Sequence, residues 1–278
     1  MFVDMQNQAL EQTIMHQLDI PIKIKKIVGE KTFVIDDIGR SGNQVLIFED
    51  MVLKIEDNSD SMTEQVEMIQ WLEEKLPVPQ VLAYEVEKEK SYLLMSKIEG
   101  KMSCDVDYLE HPHMLLEALA MGLEMLWEID IKDCPCLRDL DTLLAEARRR
   151  VENNLVDMDD AEPTTFGEGG FQSPQELLEW LEQNQPIFEP VLSHGDFCLP
   201  NIFLEDGHIK GYIDLDKTGI GDKWNDIALC YRSLKHNYDG TYGGKIYKDF
   251  NPDMLFEKLG IEPNWEKINY YLLLDELF

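Results

Sequence analysis

Hydrophobic and polar positions change their rhythm once along this chain, near Gly100. Before that point, runs of strand length rich in Ile, Val and Phe predominate, at 22–28, 32–38, 44–48 and 51–55. Gly39-Arg40-Ser41-Gly42-Asn43 lies between two of them and has the Gly and Ser of a tight turn. Residues 7–18 have helical spacing. So do residues 61–75, where Val66, Ile69 and Leu72 share one side until Pro77-Val78-Pro79 ends the segment. Two further strands are expected at 81–87 and 92–97, and Glu99-Gly100 reads as a hinge.

Beyond Gly100 the spacing becomes helical. Residues 113–129 place Leu116, Leu119, Leu123 and Leu126 at steps of three and four. Segments 140–155 and 174–183 repeat the pattern, separated by an acidic, Gly-containing loop at 156–171. Strand-like runs return at 191–194, 202–204 and 212–215, and helical spacing resumes from Asp226. The prediction is an α+β chain with a small β-rich N-terminal lobe over 1–97 and a larger, mainly helical C-terminal lobe over 98–278.

Hydrophobic residues make up 44% of the 278 positions, enough for a core in each lobe. Lys and Arg total 25 against 55 Asp and Glu, a formal net charge of -30. Such a surface repels phosphate backbones and anionic headgroups, so neither nucleic acid nor membrane is an expected partner, whereas a polycation is attracted. The N-terminal stretch lacks a basic start followed by an apolar run, and no stretch nears the ~20 apolar residues of a membrane span. The five cysteines are odd in number and fit no zinc spacing, which suits free thiols in a reducing cytoplasm, with Cys198 and Cys230 packed.

Candidate chemistry concentrates in residues 193–226, SHGDFCLPNIFLEDGHIKGYIDLDKTGIGDKWND. Phosphoryl transfer needs a carboxylate beside the acceptor hydroxyl and hard oxygen ligands for a divalent cation. Asp196 and Asn201 lie on one connecting loop. Asp214 is expected at the end of a strand over 211–214 that returns through the Asp206-Gly207 turn. His194 is expected to brace the loop by hydrogen-bonding backbone. Taken singly, each of these residues is as well explained as a turn or cap.

The segments H-G-D-F-C-L-P-N and Y-I-D-L-D resemble the catalytic and metal-binding segments of the aminoglycoside phosphotransferases. Trp71 to Pro79, Leu94-Met95-Ser96, Asp222-Lys223-Trp224 and Tyr270 to Phe278 resemble the 3'-phosphotransferase subgroup. The resemblance implies a two-lobed protein-kinase-like fold and ATP-dependent phosphorylation of an aminoglycoside, with antibiotic resistance as the outcome. GTP stays open as the donor, and the expected assembly is a monomer or weak dimer. It implies Asp196 as the catalytic carboxylate, Lys217 as a neutralising cation, and Asn201 and Asp214 as Mg ligands. On the nucleotide side it implies Lys54 at the phosphates, Ser41 in the nucleotide loop, and Met95, Ser96 and Ile98 at the adenine edge. Gln65 stands six residues before Trp71, where a glutamate pairing with Lys54 is expected, so neighbouring Glu64 is the candidate partner.

A polycationic substrate calls for a carboxylate-lined cleft. Asp159, Asp160 and Glu162 in the acidic loop are candidates, as are Asp275, Glu276 and the carboxylate of Phe278 in the tail; Arg232 is expected beside them. His236-Asn237 stands where relatives can carry acidic residues. Two alternatives stay open: a kinase of the same fold acting on choline, homoserine, a fructosamine or a macrolide, and a weakly active nucleotide-binding pseudokinase, for which Gln65 is the only support.

Overall fold

The computed structural model describes residues 19–36, 44–57, 60–159 and 161–278. The expected helix at 7–18, the turn holding Ser41, the end of the 32–38 strand, and Asp160 lie outside the described residues. The chain divides into two compact units, Met1–Glu99 and Gly100–Phe278.

The first unit is built on a sheet of β1 (Phe33–Asp36), β2 (Gln44–Phe48), β3 (Met51–Asp57), β4 (Val81–Glu87) and β5 (Lys90–Ser96), in the order β1-β2-β3-β5-β4. Each neighbouring pair is antiparallel. Alternation along β3 sends Met51, Leu53 and Ile55 into the core and leaves Val52 and Lys54 half-buried on the other face. A helix over Asp60–Leu72 (α2) packs on β4 and β5 through Met62, Val66, Ile69 and Leu72.

Residues 22–28 form a helix, α1 (Ile22–Val28), and not the expected strand. The Ile-Lys-Ile-Lys order has period two, but Ile24 and Val28, four apart, are the residues that enter the core. Ile22 is 71% exposed, which a strand over this sheet would not allow. The core under α1 also takes Leu46, Phe48, Leu53 and Leu94, so tertiary packing selects the helical spacing.

The second unit holds β6 (Lys101–Met102), α3 (Val106–Leu109), α4 (Pro112–Trp127), α5 (Leu140–Glu152), α6 (Pro174–Gln183), β7 (Pro190–Ser193), β8 (Ile202–Glu205), β9 (His208–Tyr212) and β10 (Gly219–Asp222). Helices α7 (Lys223–Asp239), α8 (Met254–Leu259) and α9 (Trp265–Asp275) complete it. Helix α4 buries Leu116, Leu119, Leu123 and Leu126, the stripe that the spacing predicts. At Gly122 the Tyr212 hydroxyl donates to the carbonyl at 2.9 Å, and a Cβ there would stand 2.9 Å from the Ile209 side chain.

Two small sheets carry the connecting loops, β6-β8-β9 and β7-β10. Strand β9 ends at Tyr212, so Asp214 lies beyond it and not at the end of a 211–214 strand. Strand β10 goes unnoticed in the sequence because Gly219-Ile220-Gly221-Asp222 has no apolar run. It exists because it pairs with β7, Gly219 facing Ser193 and Gly221 facing Val191. Lys267, only 5% exposed, ties α9 to this sheet through Glu189 at 2.8 Å and Asp222 at 3.4 Å. All five cysteines are free; Cys230 is buried and Cys198 half-buried. No helix among the described residues is long and apolar enough to cross a membrane.

Candidate active site

The β7–β10 pairing places the 193–196 turn beside residues 217–219. Gly195 has φ +81°, and a Cβ there would stand 2.2 Å from the Lys217 carbonyl oxygen, so the turn needs glycine. The Thr218 hydroxyl donates to the His194 carbonyl at 2.9 Å. The Asp226 carboxylate accepts the backbone N–H of His194 at 2.8 Å and that of Gly195 at 2.9 Å. His194 is buried, and its Nδ1 accepts the Asp196 N–H at 3.3 Å, so it braces backbone as expected.

Asp196 emerges from this braced turn half-buried. The chain then folds back through a 3-10 turn, Leu199–Asn201, whose Asn201 side chain donates to the Asp196 carbonyl and to its carboxylate Oδ2, both at 3.0 Å. Those bonds direct the Asn201 amide nitrogen at Asp196 and leave its oxygen as the group for another partner. Ile213 donates its N–H to the Asn201 carbonyl at 3.0 Å, and Ile202 pairs with Tyr212. Asp214, with φ +60°, follows at once. An amide oxygen and a carboxylate carried on adjoining backbone are hard donors that suit Mg, which otherwise keeps waters and substrate phosphates as ligands. Among the described residues no cluster of three or more His, Cys, Asp or Glu is arranged to hold a metal.

Lys217 is half-buried, with its ammonium 5.6 Å from the centroid of the Phe278 ring. Burial opposes its charge, yet the carboxylates of Asp275, Asp196 and Asp216 outweigh burial and hold its pKa above the ordinary value. The Cys198 thiol is pushed well above its usual range by burial and by the Asp196 charge, so it stays protonated.

The acidic candidates divide. Asp159 lies on an exposed turn, its N–H donating to Asp157 at 3.0 Å. Glu162 joins a cleft of about 350 Å³ with Arg232, His236 and Glu276 among its lining. The Glu162 N–H donates to Glu276 Oε2 at 2.8 Å, and its carboxylate faces His236 Nε2 at 3.3 Å. Arg232 holds Glu276 at 3.4 Å and also pairs with Asp275. Burial raises the Glu276 carboxyl above its usual range. Arg150 binds the Leu277 carbonyl at 2.8 Å and those of Leu155 and Phe278, so the tail is packed in place.

In the first unit, Lys54 and Glu64 both have interaction partners. Gln65 is turned inward at 3% exposure, whereas Glu64 beside it faces out. Met95 is buried within β5. The Ser96 N–H donates to the Gln80 carbonyl at 2.9 Å and the Lys97 N–H to Asp50 at 3.0 Å, so neither is available as a donor to a ligand. Ile98 follows, half-buried, after β5 has ended.

Sequence reasoning passed over Ser193, Thr218 and Asp226. A signal existed for Asp226: with Cys230 and Ser233 it recurs at steps of four and three, a polar residue on the buried face of α7. Its pKa, pushed up to about 6 by burial against the backbone N–H bonds that favour the charge, marks a carboxylate kept inside for its hydrogen bonds.

The sequence model of the phosphotransferase enzyme family matches residues 37–257. The aminoglycoside 3'-phosphotransferase of Enterococcus faecalis is 37% identical over 95% of this chain and 100% of its own length. The corresponding enzyme of Staphylococcus aureus is 36% identical over the same shares. An aminoglycoside phosphotransferase structure from Streptomyces rimosus superposes with a TM-score of 0.80 at 23% identity, covering 96% of this chain and 98% of that one, which establishes the shared kinase-like fold. With residues 37–257 inside the family's sequence pattern and full-length relatives above 35% identity, this chain belongs to the phosphotransferase enzyme family, among its aminoglycoside 3'-phosphotransferases.

Proposed function

We propose that this protein transfers the γ-phosphoryl group of a nucleotide, with ATP as donor, to the 3'-hydroxyl of an aminoglycoside in the cytoplasm, and so confers resistance. The observation that carries the reading is the Asp196–Asn201 pair at 3.0 Å beside a turn braced by Asp226, with Asp214 just beyond the adjoining strand β9. Such a constellation suits in-line phosphoryl transfer, where positioning and charge stabilisation account for most of the rate.

Asp196 orients the acceptor hydroxyl and receives its proton as the oxygen bonds to the γ-phosphorus. The bond from that phosphorus to the bridging oxygen breaks, and the nucleoside diphosphate leaves with the electron pair. Asn201 holds the Asp196 carboxylate by one oxygen and directs the other at the hydroxyl. Asn201 and Asp214 would hold Mg, which would neutralise charge on the phosphates. Lys217, kept cationic by its three carboxylate neighbours, adds positive charge near Asp196. Lys54 meets the nucleotide phosphates, Glu64 is its candidate partner, and the Ile98 N–H reads the adenine edge. The N-terminal lobe is the nucleotide lobe; the C-terminal lobe holds the drug, with Glu162, Asp275 and Glu276 receiving its ammonium groups.

The test is coupled ADP release with Mg and ATP on kanamycin, neomycin, the 3'-deoxy drug tobramycin, choline and a macrolide. Turnover of the first two, absent with tobramycin and reduced about a thousandfold in Asp196→Ala, is expected. Turnover of choline or the macrolide alone would overturn the reading.

A further inference from the structure

His236 is the one histidine in the cleft lined by Glu162, Arg232 and Glu276. It projects from α7 and is nearly inaccessible, at 4% exposure. Its ring packs edge-on against Tyr242, with centroids 5.1 Å apart, so its orientation is set by packing. Nε2 lies 3.3 Å from the Glu162 carboxylate, and Nδ1 has no hydrogen-bond partner among the described residues. Glu162 is held a second time, through its N–H to Glu276, which in turn meets Arg232. One polar chain thus runs His236, Glu162, Glu276, Arg232, Asp275, joining the 156–171 loop, α7 and the tail.

We propose that His236 is a specificity-determining positioning residue: as a neutral donor, its Nε2–H holds the Glu162 carboxylate in the cleft for a substrate ammonium group without cancelling the carboxylate's charge. This rests on the aminoglycoside-kinase reading above.

The electrostatic surroundings agree. Burial lowers the imidazole pKa below its ordinary value, with Lys235 and Arg232 acting the same way and the Glu162 and Asp239 charges opposing. The ring is therefore neutral at physiological pH, with one donor and one acceptor nitrogen. A donor bond to a carboxylate fixes its direction at little cost in net charge. Among the described residues the other polar contacts of Glu162, to Glu276 and Thr165, are made by its backbone, so without His236 the carboxylate side chain can swing towards Arg232. That swing would remove one acidic group from the drug's reach.

The test compares His236→Leu and His236→Gln with the unaltered protein, using Mg, ATP and neomycin. Leucine removes the donor, and glutamine restores a neutral N–H near the Nε2 position. The expected result is a rise of about tenfold in the aminoglycoside KM for the leucine variant, the scale of one charge-assisted hydrogen bond. Its kcat and ATP KM should hold, and glutamine should recover most of the loss. Equal KM values for leucine and unaltered protein, or equal loss in leucine and glutamine, overturn the inference while leaving the kinase reading intact. Absence of aminoglycoside turnover in the unaltered protein overturns both. Melting temperature and ATP affinity report folding; if the leucine variant fails to fold, His236→Asn, whose donor is too short to reach Glu162, takes its place with the same expected KM.

Discussion

The Asp226 carboxylate receives the backbone N–H groups of His194 and Gly195 at 2.8 and 2.9 Å, so a buried acid on a helix holds the turn that presents Asp196. The nearest polar alternatives, Ser193 and Thr218, brace the same turn from β7 and the approach to β10. The turn is held from three directions before any substrate arrives.

Replacing Asp226 by Asn should therefore reduce kcat by about 100-fold, because one of the two N–H groups loses its acceptor and the turn shifts. The substitution also has a pH signature. The folded carboxyl titrates near 6, raised from the ordinary 3.8 mainly by burial. The folded state then binds more protons than the unfolded chain between pH 4 and 6. This group's contribution is most favourable below pH 4 and declines as pH rises through 6, by a difference on the order of 3 kcal/mol. Urea titrations across that window should show a slope in the unaltered protein that is weaker in Asp226→Asn.

Gly195→Ala should fold poorly. Its φ of +81° disfavours a side chain, and the added Cβ would lie 2.2 Å from the Lys217 carbonyl oxygen, a backbone atom that cannot move alone. A loss of at least about 2 kcal/mol is expected, measured by denaturant unfolding, with kcat falling further than stability alone explains.

Arg232→Ala should cost about 2 to 4 kcal/mol, discounted for the 16% exposure of the guanidinium, because Glu276 and Asp275 are left as under-compensated charges. Thermal melts would measure the stability loss. Steady-state kinetics should show a higher aminoglycoside KM with the ATP KM unchanged.

Glu189 links β7 to α7 and α9 through Lys223, Lys267 and Trp224. The bonds from Lys223 and then Lys267 hold its pKa down to about 2, against an ordinary 4.5. A depressed acid contributes stability above pH 4.5 that is lost as pH falls towards 2. Glu189→Gln should flatten that acid limb of a pH–melting-temperature curve. The gain stays modest, since the Glu189 side chain is 42% exposed and solvent screens it.

Some of this was legible before any coordinates. The α4 leucines recur at steps of three and four, and β3 alternates core and half-buried positions, so local periodicity was enough for both. Asp196, Asn201 and Asp214 stood out because they fall within one short stretch carrying the donor types that phosphoryl transfer needs. Periodicity misled at 22–28, where four alternating residues suggest a strand but the core accepts only Ile24 and Val28. It was silent at β10, where two glycines and an aspartate around Ile220 disfavour a strand and pairing with β7 forms one.

The order of residues by itself determined the helices with a continuous apolar stripe and the short stretch that carries Asp196, Asn201 and Asp214, because each is written in spacings shorter than a few turns. Tertiary structure alone decided that Asp226 braces the 193–196 turn, that Arg232 rather than solvent meets Asp275 and Glu276, and that Glu162 faces His236. Those pairs lie between 31 and 74 positions apart, and no local pattern encodes them. They form because burial makes an unpaired charge costly, so the fold must bring each of these groups a partner from elsewhere in the chain.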